Sequence, residues 1–174
     1  KKNDIRYSKS LGGGILNDAG CYPICASRML FNSEPEKIFC ELVIDKKFEV
    51  DTKATVLMIF DQSRTSQFVV GYDLFYQSLY SLWGSDGYLS LTRSYNVPID
   101  MSVTLKIHTN NFENILSIKP VDHFEIMVNS FSNELIHPGS SPYNCEDDLL
   151  KQAKIMEAAR LSSIEQHSIK INEI

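Results

Sequence analysis

The sequence predicts an α+β fold: a large, mostly antiparallel, open-faced β-sheet with helices packed on one face. Three observations predict it. A helical hydrophobic period runs from Ile15 to Phe31. Between Lys37 and Lys119 the period changes to two, in short runs rich in Val, Ile, Thr, Phe and Tyr. The helical period returns after Pro120. Consecutive strands joined by short turns pair antiparallel, and helices grouped at either end of a run of strands belong to the α+β layers.

The elements follow in order. Residues 1–11 are polar and read as a lead-in loop, followed by Gly12-Gly13-Gly14. Ile15, Leu16, Ala19, Tyr22, Ala26, Met29 and Leu30 then fall at helical spacing. Pro23 must kink this helix or lie within its first turn, and Asn32-Ser33-Glu34-Pro35 ends it. Strands are expected over residues 37–45, 50–60, 65–72, 75–83, 88–95, 103–109 and 115–119. Asp61-Gln62-Ser63 and Ser85-Asp86-Gly87 read as hairpin turns, and Trp83 reads as core. A helix from Asp122 to Leu135 carries an apolar stripe of Phe124, Met127, Val128 and Phe131. His137 to Pro142 is a loop by composition. Asn144 can cap a final helix, with Asp147 and Asp148 in its first turn, where the helix dipole favours anions. That helix runs to about residue 166 and is expected to bury Leu149, Leu150, Ala153, Met156 and Ala159. Residues 168–172 read as a last edge strand. The outward sheet face keeps many apolar side chains, which predicts a covering partner: a second copy in a homo-oligomer, or another domain.

Bulk properties exclude several classes. The 174 residues suit one domain with a real core. The net charge is -5, and the basic pairs are Lys1-Lys2 and Lys46-Lys47, so no nucleic-acid surface is expected. No apolar run approaches a membrane span, so no membrane partner is expected. Cys21, Cys25, Cys40 and Cys145 form no CxxC pair, and His108, His123, His137 and His167 are scattered. No metal site is expected from such spacing. Buried or partly buried free thiols in a reducing cytoplasm are the expected state.

The chemistry concentrates in Leu11 to Phe31, LGGGILNDAGCYPICASRMLF. Glycines before a helix let the backbone approach closely and expose helix N-terminal amides, which can bind an anion, so Gly13 and Gly14 are candidates for cofactor contact. The run is neither a GxGxxG dinucleotide fingerprint nor a Walker loop. Asp18 and Tyr22, four apart, share one face of a helix. A carboxylate beside a phenol can handle protons: Tyr donates to a carbonyl oxygen becoming an alcohol, and Asp positions or polarises. Equally, Asp18 can satisfy backbone donors and Tyr22 can be a core aromatic with a bonded hydroxyl. Arg93, at a strand end, can contact substrate or a phosphate, or be an exposed strand arginine. Among Tyr72, Phe75, Tyr76 and Tyr80, Tyr76 is the candidate for stacking on a sugar, although period-two aromatics also simply pack a sheet.

The run GGGILNDAGCYPICASRMLF, followed by Glu34-Pro35, resembles the start of the C-terminal domain of the Gfo/Idh/MocA oxidoreductases. Gly12, Gly13, Gly14, Leu16, Asp18, Gly20, Tyr22, Arg28, Leu30, Phe31 and Pro35 match that family's pattern. Tyr80 to Arg93, YSLWGSDGYLSLTR, is similar to its strand, Gly-Ser-x-Gly turn, strand unit, and the likeness covers nearly the whole chain. Arg93 to Pro98 and Asp122 to Glu125 look most like members that reduce keto groups on nucleotide-linked deoxysugars. The resemblance implies a cytoplasmic enzyme that binds NAD or NADP in a preceding Rossmann domain, absent from this chain, and holds a sugar-like substrate against this domain. It implies Asp18 and Tyr22 as catalytic residues, Tyr22 standing where relatives carry His or Tyr as acid or base. A catalytic Lys from a Glu-Lys-Pro motif belongs to the other domain. The alternatives are a non-catalytic oligomerisation or binding module, and an enzyme for a polyol or dihydrodiol. A dinucleotide-binding sequence upstream of Lys1 in the gene would favour the enzyme; a start codon there would oppose it.

Overall fold

Ahead of the glycines the chain winds into two 3-10 turns, Ile5–Tyr7 and Lys9–Leu11, and is no free lead-in loop. The computed structural model describes residues 4–140 and 144–174. The Lys1-Lys2 pair and the end of the expected loop at Ser141 and Pro142 lie outside the described residues. Two units separate: Lys1–Leu74 with Tyr143–Ile174, and Phe75–Pro142.

In the first unit, the helix expected over 15–31 is divided. Leu16–Gly20 is a π-turn and Cys21–Phe31 is helix α1. The wide turn precedes Pro23, which has no N–H to donate and whose ring crowds the carbonyl four residues back. Asn32, in the left-handed region at φ 46°, ends α1. Strands β1 (Lys37–Ile44), β2 (Asp51–Ile59) and β3 (Thr65–Gly71) follow, and β8 (Ile169–Lys170) closes the sheet order β3-β2-β1-β8, all antiparallel. Register sets Ile38 opposite Met58, Cys40 opposite Val56 and Leu42 opposite Ala54, so one face gathers the apolar residues. Ile24 of α1 and Ile155 of helix α3 (Cys145–Glu165) complete that core with Leu16 and Phe60. Full burial of each such side chain contributes about 1.5–3 kcal/mol.

The edge of β1 is covered in two ways. β8 pairs only with Lys37 and Ile38. Farther along, the N–H groups of Cys40 and Leu42 donate to the hydroxyls of Ser162 and Ser163, each at 3.0 Å. Two serines on α3 thus do what a longer edge strand would do. The buried face of α3 is Ile155, Ala158, Ala159 and Ser162. Leu149, Leu150 and Ala153, expected inside, are exposed, because α3 meets the sheet only from its second half onward. Arg28, 5% exposed, ties the first half down: its guanidinium donates to Glu34 (2.6 and 2.9 Å), Gln152 (3.0 Å) and Asp148 (2.8 Å). A buried charge must be paired in this way.

The second unit contains β4 (Tyr80–Trp83), β5 (Gly87–Leu91), β6 (Val103–Thr109) and β7 (Glu113–Ile118), paired antiparallel in that order, and helix α2 (His123–Ile136). The strands expected over 75–83 and 88–95 are shorter. Residues 75–79 have no ladder partner, and Ser78 instead exchanges bonds with Tyr95: its hydroxyl donates to the Tyr95 carbonyl at 2.9 Å and accepts from the Tyr95 N–H at 3.0 Å. Asp122 caps α2, accepting from Phe124 and Glu125 N–H at 3.0 Å each. No residue of α2 is buried, so the expected stripe is formed but uncovered. Trp83, expected in the core, is 90% exposed.

The architecture is α+β, with the antiparallel strands in two four-stranded sheets and α1 and α3 joining the core of the first. Among the described residues, no helix is long and apolar enough to cross a membrane.

Candidate functional site

The glycine turn is shaped by close approach. A Cβ on Gly13 would stand 2.6 Å from the carbonyl oxygen of Arg6 and 2.8 Å from that of Ile5. Gly14 has φ +120°, and a Cβ there would fall on the Asp51 carboxylate. Asp51 Oδ2 accepts from the Leu16 N–H at 2.7 Å. The N–H of Gly13 donates to Ser8 O (2.8 Å) and that of Gly14 to Arg6 O (2.9 Å). The amides expected to face a ligand are therefore engaged within the chain, and the anion at this helix start is its own Asp51.

Asp18 sits in the π-turn, its N–H donating to Gly14 O at 3.1 Å. Its Oδ2 accepts from Arg6 Nε at 3.0 Å. Tyr22 is the second residue of α1 and is exposed. Both candidates therefore lie on one short stretch of helix beside the glycine turn and reach solvent. Tyr72, at the end of β3, packs its ring 5.0 Å from that of Tyr7. Its hydroxyl is buried and has no hydrogen-bond partner among the described residues. Burial first, then the negative charges of Asp18 and Asp51, pushes this phenol above the usual range, so it stays protonated. Arg6 and Asp51 are not among the sequence candidates, and Tyr72 is read there only within the aromatic set that could stack on a sugar or pack the sheet. Arg6 and Asp51 lie 12 and 33 residues from Asp18 in sequence, and no spacing rule links them.

In the second unit, the two substrate candidates meet. The Arg93 guanidinium lies over the Tyr76 ring at 4.8 Å from its centroid. Arg93 Nη2 donates to Asn96 O at 3.5 Å, and its Nε is buried without a hydrogen-bond partner among the described residues. Tyr76 is exposed. Arg93 lies past the end of β5, so the shortened strand is what frees it to stack.

All four cysteines are free thiols. Cys40 is buried, and burial pushes its pKa up to about 12. Cys25 and Cys145 are exposed, against the expectation that the thiols would be at least partly buried. Among the described residues no group of three or more His, Cys, Asp or Glu is placed to hold a metal ion.

Known proteins resemble this chain in both sequence and fold. The dTDP-3,4-didehydro-2,6-dideoxy-α-D-glucose 3-reductase of Actinomadura kijaniata is 26% identical over 159 residues, covering 91% of this chain and 48% of the reductase. The D-xylose 1-dehydrogenase (NADP(+)) 2 of Haloferax volcanii is 25% identical over 140 residues, covering 80% and 42%. A solved structure of a 3-ketoreductase from Actinomadura kijaniata, in complex with NADP and TDP-benzene, matches with TM-score 0.84 and 26% identity, over 91% of this chain and 49% of that one. An aldose-aldose oxidoreductase from Caulobacter crescentus shares the fold at TM-score 0.82 and 21% identity, over 98% and 51%. The chain spans about half the length of the curated relatives it matches. A family model described as the GFO/IDH/MocA C-terminal domain matches residues 1–90, which include the glycine turn, Asp18, Tyr22 and strands β1 to β3. With more than half of its length matched, this chain belongs to the GFO/IDH/MocA C-terminal domain family.

Proposed function

We propose that this chain is the substrate-binding part of an NAD(P)-dependent oxidoreductase acting on a sugar or sugar-like carbonyl, with a nucleotide-linked deoxysugar ketone as the first substrate to test. The observation that carries this reading is the glycine-seated helix start that presents Asp18 and Tyr22 at the surface of the family-matched segment. The 3-reductase and D-xylose dehydrogenase relatives support the substrate class. Tyr22 would give its phenolic proton to the substrate oxygen, and Asp18 would orient or polarise it. The stacked Arg93 and Tyr76 supply a flat cationic platform of the kind that takes a sugar ring or a diphosphate.

The described residues do not fit the dinucleotide itself. Every strand pair is antiparallel, so there is no βαβ unit, and the Gly13 and Gly14 amides are engaged internally. We therefore assign NAD or NADP, the hydride donor or acceptor, to a separate Rossmann domain of a cytoplasmic enzyme. Gly13 and Gly14 would contribute only the shape of their loop. The chain by itself is expected to be inactive. The uncovered face of the second unit favours a second reading, a non-catalytic module that associates through its sheet into homo-oligomers.

The test is Tyr22→Phe in the full-length enzyme, assayed with NADPH and dTDP-3,4-didehydro-2,6-dideoxy-α-D-glucose, and with NADP+ and D-xylose. Turnover should fall roughly 10²- to 10⁴-fold with cofactor affinity intact. Unchanged turnover removes Tyr22 from the mechanism. No turnover on any sugar, with concentration-dependent sedimentation, supports the association module.

A further inference from the structure

We propose that Arg6 is a positioning residue for Asp18, and that the glycine turn serves to seat the Arg6 segment. This rests on the reading of Asp18 and Tyr22 as the reacting pair. Arg6 is held from both ends. Its guanidinium lies between two carboxylates, Nε donating to Asp18 Oδ2 at 3.0 Å and Nη1 meeting Asp4 Oδ1 at 3.4 Å. Its own N–H donates to the same Asp4 oxygen at 3.0 Å. Its carbonyl accepts from the Gly14 N–H, while the Gly14 carbonyl accepts from the Asp18 N–H. Gly14, at φ +120°, thus links Arg6 and Asp18 through its two flanking peptides, a geometry that a residue with a Cβ would strain.

Gly13 lets the strap lie flat, since a side chain there would strike the Ile5 and Arg6 carbonyls. Tyr7 pins the next position, its ring 5.1 Å from Phe48 and 5.0 Å from Tyr72. The Arg6–Asp18 pair is solvent-accessible, with side chains 52% and 36% exposed, so it adds little to stability. What it does supply is orientation. By taking Oδ2, Arg6 fixes the rotation of the Asp18 carboxylate, and a guanidinium keeps its charge at every working pH.

The experiment uses the full-length enzyme with NADPH and dTDP-3,4-didehydro-2,6-dideoxy-α-D-glucose. Arg6→Met should lower kcat roughly ten- to a hundredfold, with Tm and the KM for NADPH unchanged. Added guanidinium ion should restore part of that loss, as should Arg6→Lys. The Arg6→Met/Asp18→Asn double variant should be no slower than Asp18→Asn, because the two act as one unit. Full kcat in Arg6→Met beside an impaired Asp18→Asn overturns the inference and leaves the functional reading standing. A loss in Arg6→Met that tracks a fallen Tm, is not rescued by guanidinium and adds to that of Asp18→Asn also overturns it, as a structural effect. Full turnover in both Asp18→Asn and Tyr22→Phe overturns the functional reading itself.

Discussion

In β2, Ala54, Val56 and Met58 are sealed in one core with Ile24 of α1 and Ile155 of α3. In β7 every residue from Glu113 to Ile118 is exposed, including Ile115, Leu116 and Ile118. Both belong to four-stranded antiparallel sheets, β2 between β1 and β3 and β7 at an edge beside β6; an edge leaves backbone groups unpaired but does not by itself bare both side-chain faces. The difference lies in the second layer. The first unit has two helices tied to its sheet by Ser27–Ser66 (2.6 Å), Ser162 and Ser163. In the second unit α2 displays Phe124, Met127, Val128 and Phe131 to solvent. A hydrophobic stripe therefore marks a face able to be buried, and what buries it must be found in three dimensions. Uncovered apolar area of this extent is the mark of an interaction surface.

Matched truncations give the sharpest break of that comparison. Ile155→Ala should cost about 2–5 kcal/mol in urea denaturation, since it opens a cavity in a closed core. Phe131→Ala, on the open stripe of α2, should cost less than about 0.5 kcal/mol. Equal costs would mean that the α2 stripe is covered in solution. A Phe131→Ala cost that grows with protein concentration would name a second copy as the cover.

Alkaline pH separates the units next, because among the described residues the phenol and thiol groups with strongly raised pKa, Cys40 and Tyr72, belong to the first unit. Cys40 keeps its proton in the folded state up to about 12, whereas the unfolded chain releases it near the ordinary 9.0. Its contribution is thus complete below pH 9 and is lost as pH rises from there toward 12. The slope approaches about 1.4 kcal/mol per pH unit. Urea midpoints measured between pH 8 and 10.5 should fall in the wild-type chain, and less steeply in Cys40→Ala. An identical slope in the variant would mean that the thiol is not shielded.

Strands β1 to β3 were legible almost to the residue, because a sheet with one covered face alternates cleanly; the last strand, expected over 168–172, pairs only at Ile169 and Lys170 before Ile171–Glu173 turns into a 3-10 helix. The cap of α3 was legible too: Asn144, whose side chain accepts from the Asp147 N–H; Asp122, read only as the start of the next-to-last helix, caps it by accepting from the N–H groups of Phe124 and Glu125. The start of α3 was misread because Leu149 and Leu150 look like core, yet that end of the helix is held by Arg28 to Asp148 and Gln152, a polar clamp that hydrophobic period does not report. Residues 75–79 alternate like a strand, but Ser78 spends its hydroxyl on Tyr95 and the ladder starts only at Tyr80. At the candidate site, Asp18 and Tyr22 were visible through local spacing and family likeness. Their surroundings, Arg6 and the Asp51 carboxylate at the helix start, come from separate segments and required the fold.

The finest difference between the units concerns those caps. Asn144→Ala and Asp122→Ala each remove a side-chain acceptor at a helix start and should each cost about 1 kcal/mol. The cost should be spent differently. α3 shares the core through Ile155, Ala158 and Ala159, so loss of its cap should lower the global urea midpoint. α2 has no buried residue, and a helix of that length is marginal on its own. Loss of the Asp122 cap should therefore leave the midpoint in place and speed amide exchange within α2 about fivefold. If Asp122→Ala instead moved the global midpoint as far as Asn144→Ala, α2 would be part of the cooperative fold, and the contrast between a layered unit and an open one would fail.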